Sequence, residues 1–372
     1  MRKKTEKSTA LEGSGDMKIM DYMKRYDYEE LVFCCDTGVG LNAIIAIHDT
    51  TLGPALGGAR MWPYQSEEAA ILDALRLARA MTYKSSAAGL NLGGGKTVII
   101  GDTAQDKSTG LFRSLGRFIE SLNGRYIATE DLGTSISDMQ HIRTETTYVT
   151  GLPLAWGSSG DPSPMTSFGI YHGMKACAKA IFGSDSLQGR TVAIQGFGKV
   201  GSHLARHLRY EGAHMLVADI NEEAIKRAVE EFGATPIKPN EIYSVDCDIF
   251  SPCALGGIIN GQTISRLKCR IVAGGANNQL GEEKHGDSLQ QKGILYAPDF
   301  IINAGGVINI SVELTGYNVD LARTQVAEIY HTVEKVIALA KSERISTARA
   351  ADKLATDRIE EVRKVRRIYL KK

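Results

Sequence analysis

The chain has 372 residues, 43% hydrophobic and 23% charged, which is enough length for two domains and enough apolar content to bury a full core. Its 44 basic and 43 acidic side chains leave a formal net charge of +1, so no electrostatic footprint for nucleic acid or an anionic membrane is present. No apolar run approaches about 18 residues and no secretory signal is evident, so a cytoplasmic protein without a membrane partner is expected.

In chain order, residues 1–16, MRKKTEKSTALEGSGD, are charged and small and read as a disordered extension. Two apolar runs follow, AIIAIH (43–48) and TVIIG (97–101), with SEEAAILDALRLARAMTYKS (66–85) between them. Its residues Ile71, Leu72, Leu75, Leu77 and Ala78 recur at helical spacing and Ser66 is a plausible cap. A second helix is expected over 109–124, then a strand RYIAT (125–129) running into EDLGT. This alternation predicts α/β layers with largely parallel sheet. Residues 148–165 are rich in Gly, Pro and Ser and have no period, so they read as a hinge and domain boundary. A helix over 165–183 follows. Near the end, Val326, Ile329, Val333, Val336, Ile337 and Ala340 form an apolar stripe of the core or subunit-contact kind. The terminal RKVRRIYLKK reads as a solvated helix end.

Six cysteines (34, 35, 177, 247, 253 and 269) make no CxxC pair and read as reduced, mostly buried thiols. His203 and His207 stand at i, i+4 without an HExxH pattern and read as a solvated helix face, so no metal site is expected.

The clearest chemical motif is Gly196, Gly198 and Gly201 in G-x-G-x-x-G. It follows the strand-like TVAIQ and opens a helix with Val200, Leu204 and Leu208 on its apolar face. A second strand, MLVADI, ends near Asp219, 18 residues after Gly201. That is the full context of a dinucleotide-binding turn. Gly196 permits the turn, Gly198 leaves room for a pyrophosphate, and Gly201 lets helix and strand pack closely. The helix N-terminus faces the phosphates, and Asp219 can accept from ribose hydroxyls while repelling a 2′-phosphate, which favours NAD.

LNLGGGKT (90–97) is not a P-loop. The required first glycine falls on Leu90, and a strand follows where a helix is needed. A lysine on a glycine-rich turn can still face a substrate, and partial burial would push its pKa down. Lys84 lies 12 residues before Lys96. Two ammonium groups in one pocket would each disfavour the other's charge, a route to a neutral lysine base, and Asp131 could relay protons there. On spacing alone, surface lysines and a turn aspartate remain the competing reading.

These residues resemble the glutamate, leucine, phenylalanine and valine dehydrogenase family, with the leucine and phenylalanine types nearest. The resemblance covers residues 17–372. It rests on HDTTLGPALGGARMWPY (48–64), MTYK (81–84), NLGGGKTVIIGD (91–102), EDLGT (130–134), SSGDPSP (158–164), GFGKVG (196–201), SPCALGG (251–257), ANNQL (276–280) and YAPDFIINAGGVIN (296–309). It implies an N-terminal α/β substrate and oligomerisation domain over 17–148, completed by 343–372. A Rossmann domain over 149–342 would carry NAD, with a closing cleft between the two and a homo-oligomer, often an octamer.

The resemblance also implies roles. Lys84 would bind the substrate carboxylate, Lys96 would be the general base for water, and Asp131 would shuttle protons at the nitrogen. Leu56, Gly57, Gly58, Thr129, Asn278, Val307 and Ile310 would complete the substrate pocket. Phe197, Lys199, Val200, Ile220, Cys253, Ala254 and Asn277 would join the glycines and Asp219 around the cofactor. The reaction implied is oxidative deamination of an L-amino acid to a 2-oxo acid and ammonia, with an alkaline optimum. Pocket size points to Leu, Val or Ile, with Phe weak. A phenylalanine-type enzyme and a non-catalytic NAD-binding regulatory paralogue are the alternatives, and intact Lys84, Lys96 and Asp131 speak against the second. Three departures stand out. Thr129 is bulkier than the Ala or Gly of the leucine and phenylalanine types. Ser311-Val312 replaces an Ala-Asp pair before Glu313, removing a carboxylate expected near the cleft. Gly275 and Ala59 replace hydroxyl residues.

Overall fold

The computed structural model describes residues 18–365; the extension expected at 1–16 and the end of the basic stretch, 366–372, lie outside the described residues. The first layer contains α1 (Ile19–Tyr26), β1 (Glu30–Asp36), β2 (Leu41–Asp49), β3 (Ala55–Trp62), α2 (Glu67–Ala87), β4 (Gly93–Ile100), α3 (Thr109–Ser121), β5 (Tyr126–Glu130) and α4 (Ile136–Arg143). Its sheet has the order β1-β2-β4-β3-β5. Strand β2 is buried along nearly its whole length because helices cover both faces. Ile44 and Ala46 pack with Ile71, Leu75 and Ala78 of α2, while Ile45 and Ile47 pack with Leu111, Phe112 and Leu115 of α3. Ser66 and Ser108 cap the two helices by accepting from Ala69 and Leu111 N–H.

This sheet is mixed, a local departure from the largely parallel pairing expected of the chain, which the second sheet follows throughout. β1 pairs antiparallel with β2 and β2 with β4, whereas β3 is parallel to both β4 and β5. A tight connection at 37–40 joins β1 to β2, and only a hairpin can be closed that briefly. A correction concerns GGGK, which lies inside strand β4 and not on a turn. A Cβ on Gly94 would sit 2.1 Å from the Thr82 nitrogen, and one on Gly57 would sit 1.7 Å from the Gly95 carbonyl oxygen. Glycine here lets helix and strands approach closely, so the local turn signal misleads.

The second layer contains α5 (Ser163–Phe182), β6 (Thr191–Gln195), α6 (Lys199–Glu211), β7 (His214–Ala218), α7 (Glu222–Phe232), β8 (Thr235–Pro236), β9 (Ile249–Pro252), α8 (Gly261–Arg266), β10 (Ile271–Val272), α9 (Lys284–Gln291), β11 (Leu295–Tyr296) and α10 (Asp299–Ile302). Its sheet is parallel throughout in the order β11-β10-β9-β6-β7-β8. Read outward from β6, this is the doubly wound order whose switch point falls between β6 and β9. Helices α11 (Gly305–Glu313), α12 (Val319–Ala327), α13 (Ile329–Glu343) and α14 (Thr347–Val365) end the chain.

The apolar stripe is core, all six residues being buried, but it is divided: Val326 lies on α12 and the rest on α13. Helix α14 returns to the first layer. Ser86 Oγ donates to the Ala355 carbonyl at 2.7 Å, and the Arg358 guanidinium reaches the carbonyls of Gly89 and Leu90. Arg363, expected at a solvated helix end, is exposed and also bonds Asp49 at 2.6 Å, where α14 crosses the end of β2. The solvated face expected for His203 and His207 also needs correcting. Both are half-buried, and His207 stacks on Tyr171 of α5 with ring centroids 5.3 Å apart. Among the described residues, no helix is long and apolar enough to cross a membrane.

Candidate active site

The carboxyl ends of β3 and β5, with the middle of β4, form one polar cluster. Lys96 on β4 is only 5% exposed, and its Nζ bonds Asp131 Oδ2 at 2.5 Å. Asp131 directly follows β5 and is tied there by its N–H, which donates to Thr134 Oγ1. Gly58 of β3 leaves the space between them, since a Cβ there would lie 2.6 Å from Asp131 Cβ and 3.0 Å from Lys96 Nζ. Arg60 Nε bonds the same Asp131 oxygen at 3.0 Å, and its Nη1 bonds Asp73 at 3.1 Å. Tyr64 donates its hydroxyl to Asp73.

Burial pushes the Lys96 ammonium below the ordinary lysine range, with the Asp131 carboxylate opposing the shift. Burial likewise lowers Lys84, in the last turn of α2, to about 8; Asp299 opposes this and the Lys96 charge adds to it. The two ammonium groups therefore share one desolvated neighbourhood. For Asp131, burial works against ionisation, but Lys96 and Arg60 outweigh it and hold the carboxyl at about 2.

The apolar residues expected at the substrate pocket are buried in the hydrophobic core. Leu56 of β3 and Val307 and Ile310 of α11 belong to a single buried cluster. Thr129 of β5 sits opposite Gly58 in register, 7% exposed, and its hydroxyl has no hydrogen-bond partner. The linker passes over it, with Thr129 Oγ1 2.9 Å from where a Gly151 Cβ would be. Glu313 of α11 pins that linker. Its carboxylate accepts from the N–H groups of Gly151 and Ser159 and from the hydroxyls of Ser158 and Ser159. Val312, expected to mark a carboxylate lost near the cleft, is 2% exposed and packs in the same apolar core as Val307 and Ile310. Ala59 is fully buried between β4 and β5. A side chain at Gly275 would meet Ile170 and Val200. Asn278 takes a left-handed backbone, φ 51°, and its carbonyl accepts from Gly257 N–H at 2.7 Å.

The second layer carries a crevice at its switch point. Gly196 follows β6 with φ 97°, and Ala254 fills the space a Cβ there would take. A Cβ on Gly201 would lie 2.3 Å from the Gly196 carbonyl oxygen, whereas nothing lies within 4 Å of one on Gly198. Helix α6 begins at Lys199 without a side-chain cap, so its first N–H groups remain available to an anion. Asp219 accepts from Phe197 N–H at 2.6 Å and Asn221 N–H at 2.8 Å, and Ile220 beside it is 91% exposed. These features fit a bound dinucleotide. Phe197 offers only its backbone, because its ring is buried against Phe232. Lys199 pairs with Asp161 of the linker at 3.2 Å. Val200 borders Gly275, Cys253 N–H bonds the Gln195 carbonyl, and Asn277 Oδ1 accepts from Asn303.

Sequence reasoning missed Arg60, Asp299, Glu313 and Asn303. Arg60 stands two residues after Gly58, and Asp299 lies within YAPDFIIN, so both were in view without a role. Asn303 donates to the Gly275 carbonyl and to Asn277, joining two crevice segments that are distant in sequence.

Two α/β layers, one with a doubly wound parallel sheet and the other with Lys96 buried and Lys84 half-buried, have the architecture of a two-domain amino-acid dehydrogenase, as the family matches show. Residues 32–148 match the model "Glu/Leu/Phe/Val dehydrogenase, dimerisation domain", and residues 157–221 and 213–367 match "Glutamate/Leucine/Phenylalanine/Valine dehydrogenase". The chain belongs to this family. It is 61% identical to leucine dehydrogenase of Thermoactinomyces intermedius, covering 95% of this chain and 97% of that one. It is 48% identical to phenylalanine dehydrogenase of Lysinibacillus sphaericus, covering 97% and 94%. The crystal structure of L-tryptophan dehydrogenase from Nostoc punctiforme superposes with a TM-score of 0.83 at 44% identity, covering 93% of this chain and 99% of that one.

Proposed function

We propose that this chain catalyses the reversible NAD-dependent oxidative deamination of a branched-chain aliphatic L-amino acid, leucine, valine or isoleucine, to its 2-oxo acid and ammonia. The observation that carries this reading is Lys96 buried against Asp131 under Gly58, with Lys84 in electrostatic reach. Identity of 58% to 61% with leucine dehydrogenases, against 45% to 48% with phenylalanine dehydrogenases, supports the aliphatic choice. The apolar wall of Leu56, Val307 and Ile310 supports it as well.

Bound at the crevice of Gly196, Gly198, Gly201 and Asp219, NAD would supply the hydride acceptor. Lys84 holds the substrate carboxylate. Asp131 takes and returns protons at the substrate nitrogen. Lys96 removes a proton from the water that adds to the imino carbon, and reverses this in the amination direction. The exposed edge strand β1, with Phe33 53% exposed, supports assembly into a homo-oligomer through the first layer.

The test is an amino-acid panel with NAD at alkaline pH, read by NADH absorbance. Leucine, valine and isoleucine should turn over well and phenylalanine poorly. Lys96→Ala should lose turnover by about 10²- to 10⁴-fold while still binding NADH; near-normal turnover would overturn the assigned base. The pH sign follows from the protonation states required. Lys96 must be neutral, so kcat should rise with pH. Lys84 must be charged to hold a carboxylate, so substrate affinity should fall as the free protein passes about 8.

A further inference from the structure

We propose that Arg60 is a positioning residue for this reaction, clamping the Asp131 carboxylate by one oxygen and setting a fixed positive charge beside Lys96. The inference rests on the roles proposed above for Lys96 and Asp131. Asp131 is the first residue beyond β5, where nothing in the strand itself fixes its side chain. Both cations bond the same oxygen: Lys96 Nζ and Arg60 Nε each meet Oδ2, at 2.5 and 3.0 Å. Neither cation bonds Oδ1, the oxygen that the clamp leaves to face a substrate nitrogen, and the Leu132 N–H also supports the carboxylate. The clamp is itself anchored. Arg60 Nη1 bonds Asp73 of α2, the helix that also carries Lys84, and Tyr64 bonds Asp73 from the other side. A planar guanidinium spans the two carboxylates through separate nitrogens in a fixed fork, which sets their relative geometry as the single nitrogen of a flexible ammonium does not. Arg60 also lines an open pocket of about 350 Å³ together with Trp62, Tyr64, Asp73, Arg76 and Leu132.

The charged groups that act on Lys96 are Arg60 of β3, Asp73 and Lys84 of α2 and Asp131 just beyond β5, while Tyr64, the β5 residues Tyr126 and Glu130, and Asp299 of α10 act on those partners in turn. Arg60 lowers and Asp73 raises the pH at which Lys96 loses its proton. Removing each should therefore move the kcat profile in opposite directions.

The experiment compares Arg60→Met, Arg60→Lys and Asp73→Asn in the full chain, measuring kcat, KM and NADH binding across pH. For Arg60→Met, kcat should fall about 100-fold with NADH binding unchanged, and the acid limb of the kcat profile should rise by about 1 pH unit. Arg60→Lys should return the limb to its parental position but recover kcat only in part. Asp73→Asn should lower kcat about tenfold without raising the limb, and it carries the test if Arg60→Met does not fold. Variants that bind NADH and keep both parental kcat and limb overturn the clamp. With Lys96→Ala alongside, that result together with a dead Lys96→Ala overturns the clamp alone. Near-normal turnover of Lys96→Ala overturns the base assignment and the clamp with it.

Discussion

The lysine cleft of the first layer and the nucleotide crevice of the second both depend on glycine, but in different ways. In the cleft, Gly57, Gly58 and Gly94 lie within strands and remove side chains so that other parts of the protein can close in. The space is filled from inside by Asp131, Lys96 and the neighbouring backbone. In the crevice, Gly196 and Gly201 shape a turn, and Gly198 has nothing above it, so the backbone is left bare for a ligand. The cleft is thus assembled from side chains distant in sequence. The crevice is assembled from one short stretch of main chain.

Substitutions at the two sets of glycines should therefore separate chemistry from cofactor binding. The largest effect is expected for Gly58→Val. It would drive Asp131 and Lys96 apart and lower kcat by about 100-fold or more, with NADH affinity measured by fluorescence staying within error. Equal losses in both would dissolve the distinction. Gly196→Ala should do the reverse. Its positive φ and the Ala254 contact should weaken NADH binding by about tenfold, with kcat at saturating cofactor much less affected. The smallest effect is expected for Thr129→Ala, which removes an unpartnered buried hydroxyl and enlarges the wall. The ratio of kcat/KM for leucine over valine should rise by about fivefold; a falling ratio would show that the hydroxyl does not limit side-chain size.

The same contrast explains what could be read from the sequence. The turn at 196–201 was legible because strand, glycines, helix and acidic residue follow one another within a single βαβ unit. The cleft was not legible from spacing, because β3 and β4 bring Gly58, Lys96 and Asp131 together across the sheet. The residues alone offered one pocket for Lys96 and Asp131 as a reading beside that of surface groups, and only the resemblance to a family chose it and added Gly58. The glycines of β4 gave a turn-like signal because their tolerance depends on how closely α2 and β3 pack, which no local pattern encodes. Arg60 went unassigned for a similar reason. Its partners, Asp73 and Asp131, lie 13 and 71 residues away.

The ties of Glu313 to Gly151, Ser158 and Ser159 join the connecting segment to α11. Leu56 and Thr129 stand on the first sheet, while Val307 and Ile310 stand on the helix to which that segment is fastened. On the proposed pocket assignment, any opening between the two bodies would part these halves, and neither half would enclose a side chain alone. Discrimination among amino acids is then exercised at the moment of engulfment, and an open molecule would sample leucine and its smaller analogues almost alike.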